Sequence, residues 1–92
     1  MINKIVFEGK EKDIRAIEKL VFQDFESNNY DYTISIRRIL VKKSYAVLSI
    51  TIDSIKRTEF SLFMKNIANM LVKNKIDKSV KIDVNGEYIK IN

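Results

Sequence analysis

The apolar residues of this 92-residue chain alternate between the spacing of a strand and the spacing of a helix, and this switching constrains the fold most. Residues two apart share one face of a strand, whereas residues three and four apart share one face of a helix. Strand-like spacing occupies three regions, and helix-like spacing occupies the two regions between them. We therefore expect residues 1–92 to form a single domain that contains both kinds of element.

The first strand is predicted near residues 2–8, where a short apolar run precedes Gly9, which is expected to end it. An amphipathic helix follows and is predicted to end near residues 27–29, because Asn can adopt the left-handed conformation that closes a helix. Its apolar positions recur at helical spacing: Ile14, Ile17, Leu20, Val21 and Phe25.

Two alternating runs in the middle of the chain predict an antiparallel hairpin around the polar turn 42–44. The first run places Tyr32, Ile34 and Ile36 on one face. The second run places Ala46, Leu48, Ile50 and Ile52 on one face. Both runs are rich in β-branched residues, which pleated surfaces favour.

A second helix is predicted from an apolar stripe that consists of Phe60, Phe63, Met64, Ile67, Ala68, Leu71 and Val72. Asp53 or Ser54 would cap its start, with Thr58 as a later alternative, and Asn74 would end it. Alternation then returns on both sides of the dipeptide 85–86. Asn-Gly tolerates the two positive φ angles of a type I′ turn, so a terminal hairpin is predicted there.

The predicted order β-α-β-β-α-β-β belongs to the α+β class. Both helical stripes are buried if two helices cover one face of a mainly antiparallel sheet of four to five strands. The ferredoxin-like split β-α-β sandwich achieves this with right-handed crossovers, and the last strand would extend an edge. Many unrelated proteins share this layout, so it selects no function.

The composition excludes several kinds of functional site. The chain has no cysteine and no histidine, which removes disulfides, the usual zinc ligands, thiolate nucleophiles and the commonest general base. Two glycines cannot build a phosphate-binding loop. A partial calcium-loop pattern at 81–92 has Lys81 and Asn92 where carboxylate ligands are needed. We expect no catalytic, cofactor-binding or metal-binding residues.

Charge is distributed unevenly along the chain. Residues 1–31 carry five Lys or Arg against seven Asp or Glu, whereas residues 32–92 carry twelve against five. This asymmetry can attract a nucleic acid or an acidic protein, and it can equally serve solubility. No apolar run approaches the roughly 18 residues of a membrane span, and no signal peptide is evident. We expect a cytoplasmic protein that does not enter a membrane.

The alternation fails in the second predicted strand. Extending the face of Ile34 and Ile36 places Arg38 toward the core, while Ile39 and Val41 fall on the opposite face. A bulge near residues 37–38 would return Ile39 and Val41 to the core and expose both arginines. A separate interpretation is that the two arginines only protect an edge strand against aggregation.

Without a bulge, an apolar patch forms on the open face of the sheet, the face away from the helices. The leading hypothesis is therefore a non-enzymatic protein-interaction module of the adaptor, regulator or inhibitor type. Its partner would be an acidic protein or a second copy of the chain. The predicted partner-binding residues are Arg37, Arg38, Ile39, Val41, Lys42, Lys43, Tyr45 and Val47.

The alternative hypothesis is a small basic nucleic-acid-binding domain. Arg37, Lys42 and Lys43 could hold phosphates, and Tyr45 could stack on a base, as aromatic residues do in sheets that bind RNA. The glycine-aromatic motif typical of those sheets is absent, so base-specific recognition is not indicated.

Overall fold

A computed structural model describes residues 2–28, 33–53 and 56–90, which form five strands and two helices. The elements are β1 (Ile2–Lys10), α1 (Glu11–Asn28), β2 (Thr33–Lys42), β3 (Tyr45–Asp53), α2 (Arg57–Lys73), β4 (Val80–Val84) and β5 (Glu87–Ile89). The predicted element order is confirmed. The roles predicted for Tyr32 in the second strand and for Ser54 as a cap lie outside the described residues.

The five strands form one sheet in the order β2-β3-β1-β4-β5, and every neighbouring pair is antiparallel. β1 is the central strand, with β3 on one side and β4 on the other. β2 and β5 are the edge strands. The predicted α+β class and sheet are confirmed, and β5 extends the four-stranded split β-α-β arrangement beyond β4.

One face of the sheet is buried beneath both helices, and this layer is the hydrophobic core. The sheet contributes Ile5, Phe7, Ala46, Leu48, Ile50, Ile52 and Ile82, and the helices contribute Ile14, Ile17, Val21, Phe63, Ile67 and Leu71. Burying an Ile, Leu, Val or Phe side chain stabilises the fold by about 1.5–3 kcal/mol. The open face carries the intervening residues, such as the odd-numbered residues of β3.

Gly9 lies inside β1, so the prediction that it ends the strand is wrong. The strand continues to Lys10, and Gly9 pairs with Val80 of β4. A Cβ atom at this position would lie 3.0 Å from the carbonyl oxygen of Ser79 and 3.1 Å from Cγ1 of Val80. Gly9 therefore permits a close approach between β1 and the start of β4.

The start of α2 differs from the prediction. Lys56 occupies the N-cap position and makes no side-chain capping hydrogen bond. Asp53 instead ends β3, and Thr58 lies within the helix, so both are wrong as predicted caps. α2 forms without a side-chain cap because the packing of its apolar stripe against the core supplies most of its stability.

The end of α2 has the hydrogen bonds of a Schellman motif. Asn74 is the C-cap, as predicted, and the left-handed conformation falls on Lys75, whose φ is 59°. The amide of Lys75 donates to the carbonyl of Val72 at 3.1 Å, and the amide of Ile76 donates to that of Leu71 at 3.0 Å.

The terminal hairpin is confirmed. Asn85 and Gly86 have φ angles of 53° and 93°, as a type I′ turn requires. The amide of Gly86 donates to Oδ1 of Asp83 at 2.8 Å, which further closes the turn.

Candidate partner-binding surface

The edge strand β2 contains a bulge close to its end. Its register with β3 is regular from Thr33 to Leu40 and shifts between Leu40 and Lys42, so Val41 is the additional residue. The alternative that placed a bulge near residues 37–38 is therefore wrong in its position. Pairing is regular through both arginines.

This register assigns the predicted residues of β2 to different faces. Ile39 pairs with Val47, so both lie on the open face, as the interpretation without a bulge at the arginines expected. Arg37 shares that face. Arg38 pairs with Leu48, which belongs to the buried core, and Arg38 therefore lies on the helix side of the sheet.

Arg38 reaches α1. Its Nη1 lies 3.8 Å from Oε1 of Glu18, and both side chains are partly exposed, at 34% and 24%. A charged side chain on the inner side of an edge strand also hinders pairing with foreign strands. Arg38 is thus separated from the other predicted partner-binding residues.

Three consecutive apolar residues are exposed near the end of β2. Ile39, Leu40 and Val41 are 44%, 57% and 58% exposed, and we call them the edge segment. Leu40 was not among the predicted partner-binding residues because the alternation of β2 places it on the core side, opposite Ala46. It remains exposed because β2 is the outermost strand.

A cleft of about 650 Å³ opens where the start of α1 meets the turn between β2 and β3. β1 brings the two together, since Lys10 pairs with Tyr45 and the amide of Glu11 donates to the carbonyl of Ser44 at 3.0 Å. We call this cleft the basic cleft. Its lining residues are Lys10, Glu11, Lys12, Arg15, Lys42, Lys43, Ser44 and Tyr45.

The basic cleft contains five cations and one carboxylate. Nε of Arg15 lies 3.6 Å from Oε1 of Glu11, so this carboxylate is paired with Arg15. Nζ of Lys42 lies 5.2 Å from the centre of the Tyr45 ring, within the range of a cation–π contact. Within residues 2–28, 33–53 and 56–90, the four lysines of the cleft have no carboxylate within 4 Å.

The prediction from sequence missed Lys10, Lys12 and Arg15, which are more than 25 positions from the turn. The split β-α-β order contains the signal that could have identified them. In that order, β1 and β3 are antiparallel neighbours, so the end of β1 must meet the start of β3. Basic residues that follow β1 therefore join those of the turn.

A further groove of about 600 Å³ lies at the opposite edge of the sheet. It is lined by Asp77, Lys78, Val80, Lys81, Ile82, Tyr88, Ile89 and Lys90. Among the residues that the structure describes, no three His, Cys, Asp or Glu side chains are grouped so that they could hold a metal ion. Neither helix, within the same residues, is long and apolar enough to cross a bilayer.

Comparison with known proteins identifies the fold but not a family. No protein-family model matches the chain, and no curated protein matches it. The fold is similar to that of the solved structure "De novo designed protein Foldit4", with a TM-score of 0.72 and 12% sequence identity over 91% of each chain. Such a likeness concerns the fold alone, because one fold supports many functions.

Proposed function

We propose that the protein is a non-enzymatic interaction module that binds an acidic, extended segment of another protein along the outer side of β2. The exposed edge segment on an edge strand is the observation that carries this proposal. An edge strand presents unpaired backbone N–H and C=O groups, to which an extended peptide can add as a further strand.

The geometry of β2 limits the length over which a partner segment can pair with this strand. Regular pairing runs from Thr33 to Leu40, and the bulge at Val41 bends the strand beyond that point. A partner segment would therefore pair along the regular part through main-chain hydrogen bonds. Apolar side chains of the partner would contact the exposed edge segment, which gives the binding its hydrophobic contribution.

The charge of this edge favours an acidic partner over a second copy of the chain. Residues 33–41 contain Arg37 and Arg38 and no Asp or Glu. Pairing two copies through β2 would bring like charges side by side, which is unfavourable across neighbouring strands. An acidic segment would instead be attracted and oriented by the same charges.

Selection from a library of random ten-residue peptides tests this proposal. The selected peptides are expected to be acidic and rich in β-branched residues, and amide NMR shifts are expected to map them to β2. Alternate amides of a bound peptide can be N-methylated in two patterns, at odd or at even positions. Only one of these patterns should abolish binding, because only one set of amides faces β2.

Two matched variants sharpen the test. Replacing Ile39 and Val41 with Thr should weaken peptide binding at least tenfold. Replacing Leu62 and Val72 of α2 with Gln removes two similarly exposed apolar side chains and should leave binding unchanged. Peptides that map away from β2, or a dimer that the Ile39 and Val41 replacements dissociate, would overturn the proposal.

A further inference from the structure

We infer that the basic cleft is a second binding site, distinct from the outer side of β2, which takes the phosphates and a base of a single-stranded nucleic acid. The cleft is shallow, and it combines a concentration of unpaired cations with an aromatic ring at its edge. These are the features with which proteins hold single strands without reading their sequence.

The charge of the chain is concentrated in the basic cleft. Five cations against one carboxylate give a balance of +4 there, in a chain whose net charge is +5. Glu11 is engaged by Arg15, which leaves the four lysines to face solvent. Lysine is a compact point charge on a flexible stem, so it can follow phosphates that are spaced along a strand.

The cleft is not suited to a single phosphate held at the start of α1. The amide of Glu11 already donates to the carbonyl of Ser44, so it is not available to an anion. Glu11 and Asp13 also place two carboxylates in the first turn of the helix. The lysines around the cleft therefore determine what binds, and four separate point charges favour a chain of phosphates over a single phosphate.

Tyr45 favours a nucleic acid over an acidic polypeptide at this site. Its half-buried ring lies on the open face at the edge of the cleft, with Lys42 above it. A base can stack on this ring when Lys42 moves to a neighbouring phosphate, and such stacking contributes about 1–3 kcal/mol per base. Acidic peptides have no base to occupy this position.

The strength of the effect can be anticipated from counterion release. If each of the four lysines neutralises one phosphate, log K should fall with log salt with a slope of about −3 for a single strand. This corresponds to a loss of about 50-fold in affinity between 50 and 200 mM salt.

Fluorescence anisotropy with labelled 12-nucleotide single-stranded RNA and DNA tests the inference directly. Replacing Lys10 and Lys12 with Glu should lower affinity at least tenfold and reduce the salt slope by about half. Acidic residues at the start of α1 complement the helix dipole, so the helix should remain folded. Tyr45→Leu should weaken binding several-fold without altering the salt slope, because it removes stacking and no charge.

The matched control replaces Lys56 and Lys65 with Glu. Lys56 precedes α2 and Lys65 is exposed on it, and neither lines the cleft. Both pairs of replacements change the net charge equally, but the control pair should reduce affinity less than threefold. If the Lys10 and Lys12 variant does not fold, Gln at both positions, compared with Gln at 56 and 65, preserves the comparison.

Three results would overturn the inference. Equal losses in the two pairs of variants would show that only overall charge matters. Poly-glutamate that binds as tightly as RNA would make the cleft a site for acidic polypeptides, and preferential binding of duplex DNA would exclude a single-strand site. Because Lys10 and Lys12 lie outside β2, the peptides selected for β2 should still bind this variant, which separates the two proposals.

Discussion

Nδ2 of Asn85 donates a hydrogen bond to Oδ1 of Asn3 at 2.9 Å, which connects the turn of the terminal hairpin to the central strand. Asn3 is only 8% exposed, and among the described residues it is the one polar residue that is buried. The Lys4 amide donates to Oδ1 of Asn85, and the Asn85 amide donates to the Lys4 carbonyl, both at 2.8 Å. Asn85 therefore stabilises both the turn of the terminal hairpin and the contact of this turn with β1.

Replacing Asn85 with Gly should retain the turn, because Gly accepts a φ of 53°. The two side-chain hydrogen bonds would be lost, and Oδ1 of Asn3 would lose its donor. We expect the free energy of unfolding to fall by about 1–3 kcal/mol in urea denaturation. Asn3→Ala should then be introduced into the original protein and into the Asn85→Gly variant. The effects of the two substitutions on the free energy of unfolding should differ from additivity by at least about 0.5 kcal/mol. Additive effects would contradict the assigned contact.

Gly9→Ala should destabilise the protein. The added Cβ would meet the Ser79 carbonyl oxygen at 3.0 Å, and a backbone atom cannot easily move aside. Crowding of this kind costs about 1–3 kcal/mol, which exceeds the roughly 0.5–1 kcal/mol that Ala gains over Gly within a strand. Thermal unfolding followed by circular dichroism measures the difference. An equal or higher midpoint would mean that β4 is packed less closely than described.

Lys75→Gly should stabilise the protein. A left-handed conformation costs a residue with a Cβ about 1 kcal/mol, and Gly avoids this cost. The adjacent Asn74 provides the control, since its φ is −92° and its Nδ2 donates to the Met70 carbonyl at 2.7 Å. Asn74→Gly should therefore destabilise. Urea denaturation should show opposite signs for the two variants, and the same sign would refute the assignment.

Replacing Arg37 and Arg38 with Thr should promote self-association through β2. The change removes the like charges that oppose pairing between copies and retains strand propensity. Light scattering should show a larger species that increases with protein concentration. Lys4 and Lys81 lie on interior strands, so replacing both with Thr changes the net charge equally and should have no such effect. A monomeric arginine variant would show that charge does not protect this edge.

The elements were predictable because their signals are local. The Asn85-Gly86 turn and the stripe through Phe63, Ile67 and Leu71 depend only on nearby residues, and both are confirmed. The end of β1 was predicted wrongly because the role of Gly9 depends on β4, which is distant in sequence. Backbone proximity of this kind leaves no periodic signal.

The candidate surface was predictable in part. Alternation fails in β2, and the bulge that would explain the failure was predicted near residues 37–38, whereas the additional residue is Val41. That location depends on the hairpin turn, where Ser44 takes a φ of 62° and its carbonyl accepts the amide of Glu11. The exposure of Leu40 follows from its place on an edge strand, which alternation does not report.

The central position of β1 has a consequence for the order of folding. Phe7 pairs with Leu48 on one side and with Ile82 on the other. During synthesis β1 and β3 can pair early, but the other side of β1 stays open until residues of β4 leave the ribosome. Closing that long loop has an entropic cost, so docking of β4 is expected to be a late step. Until then, the nascent chain exposes one unpaired edge of β1, a strand that later lies at the centre of the sheet, and other polypeptides can bind to this edge.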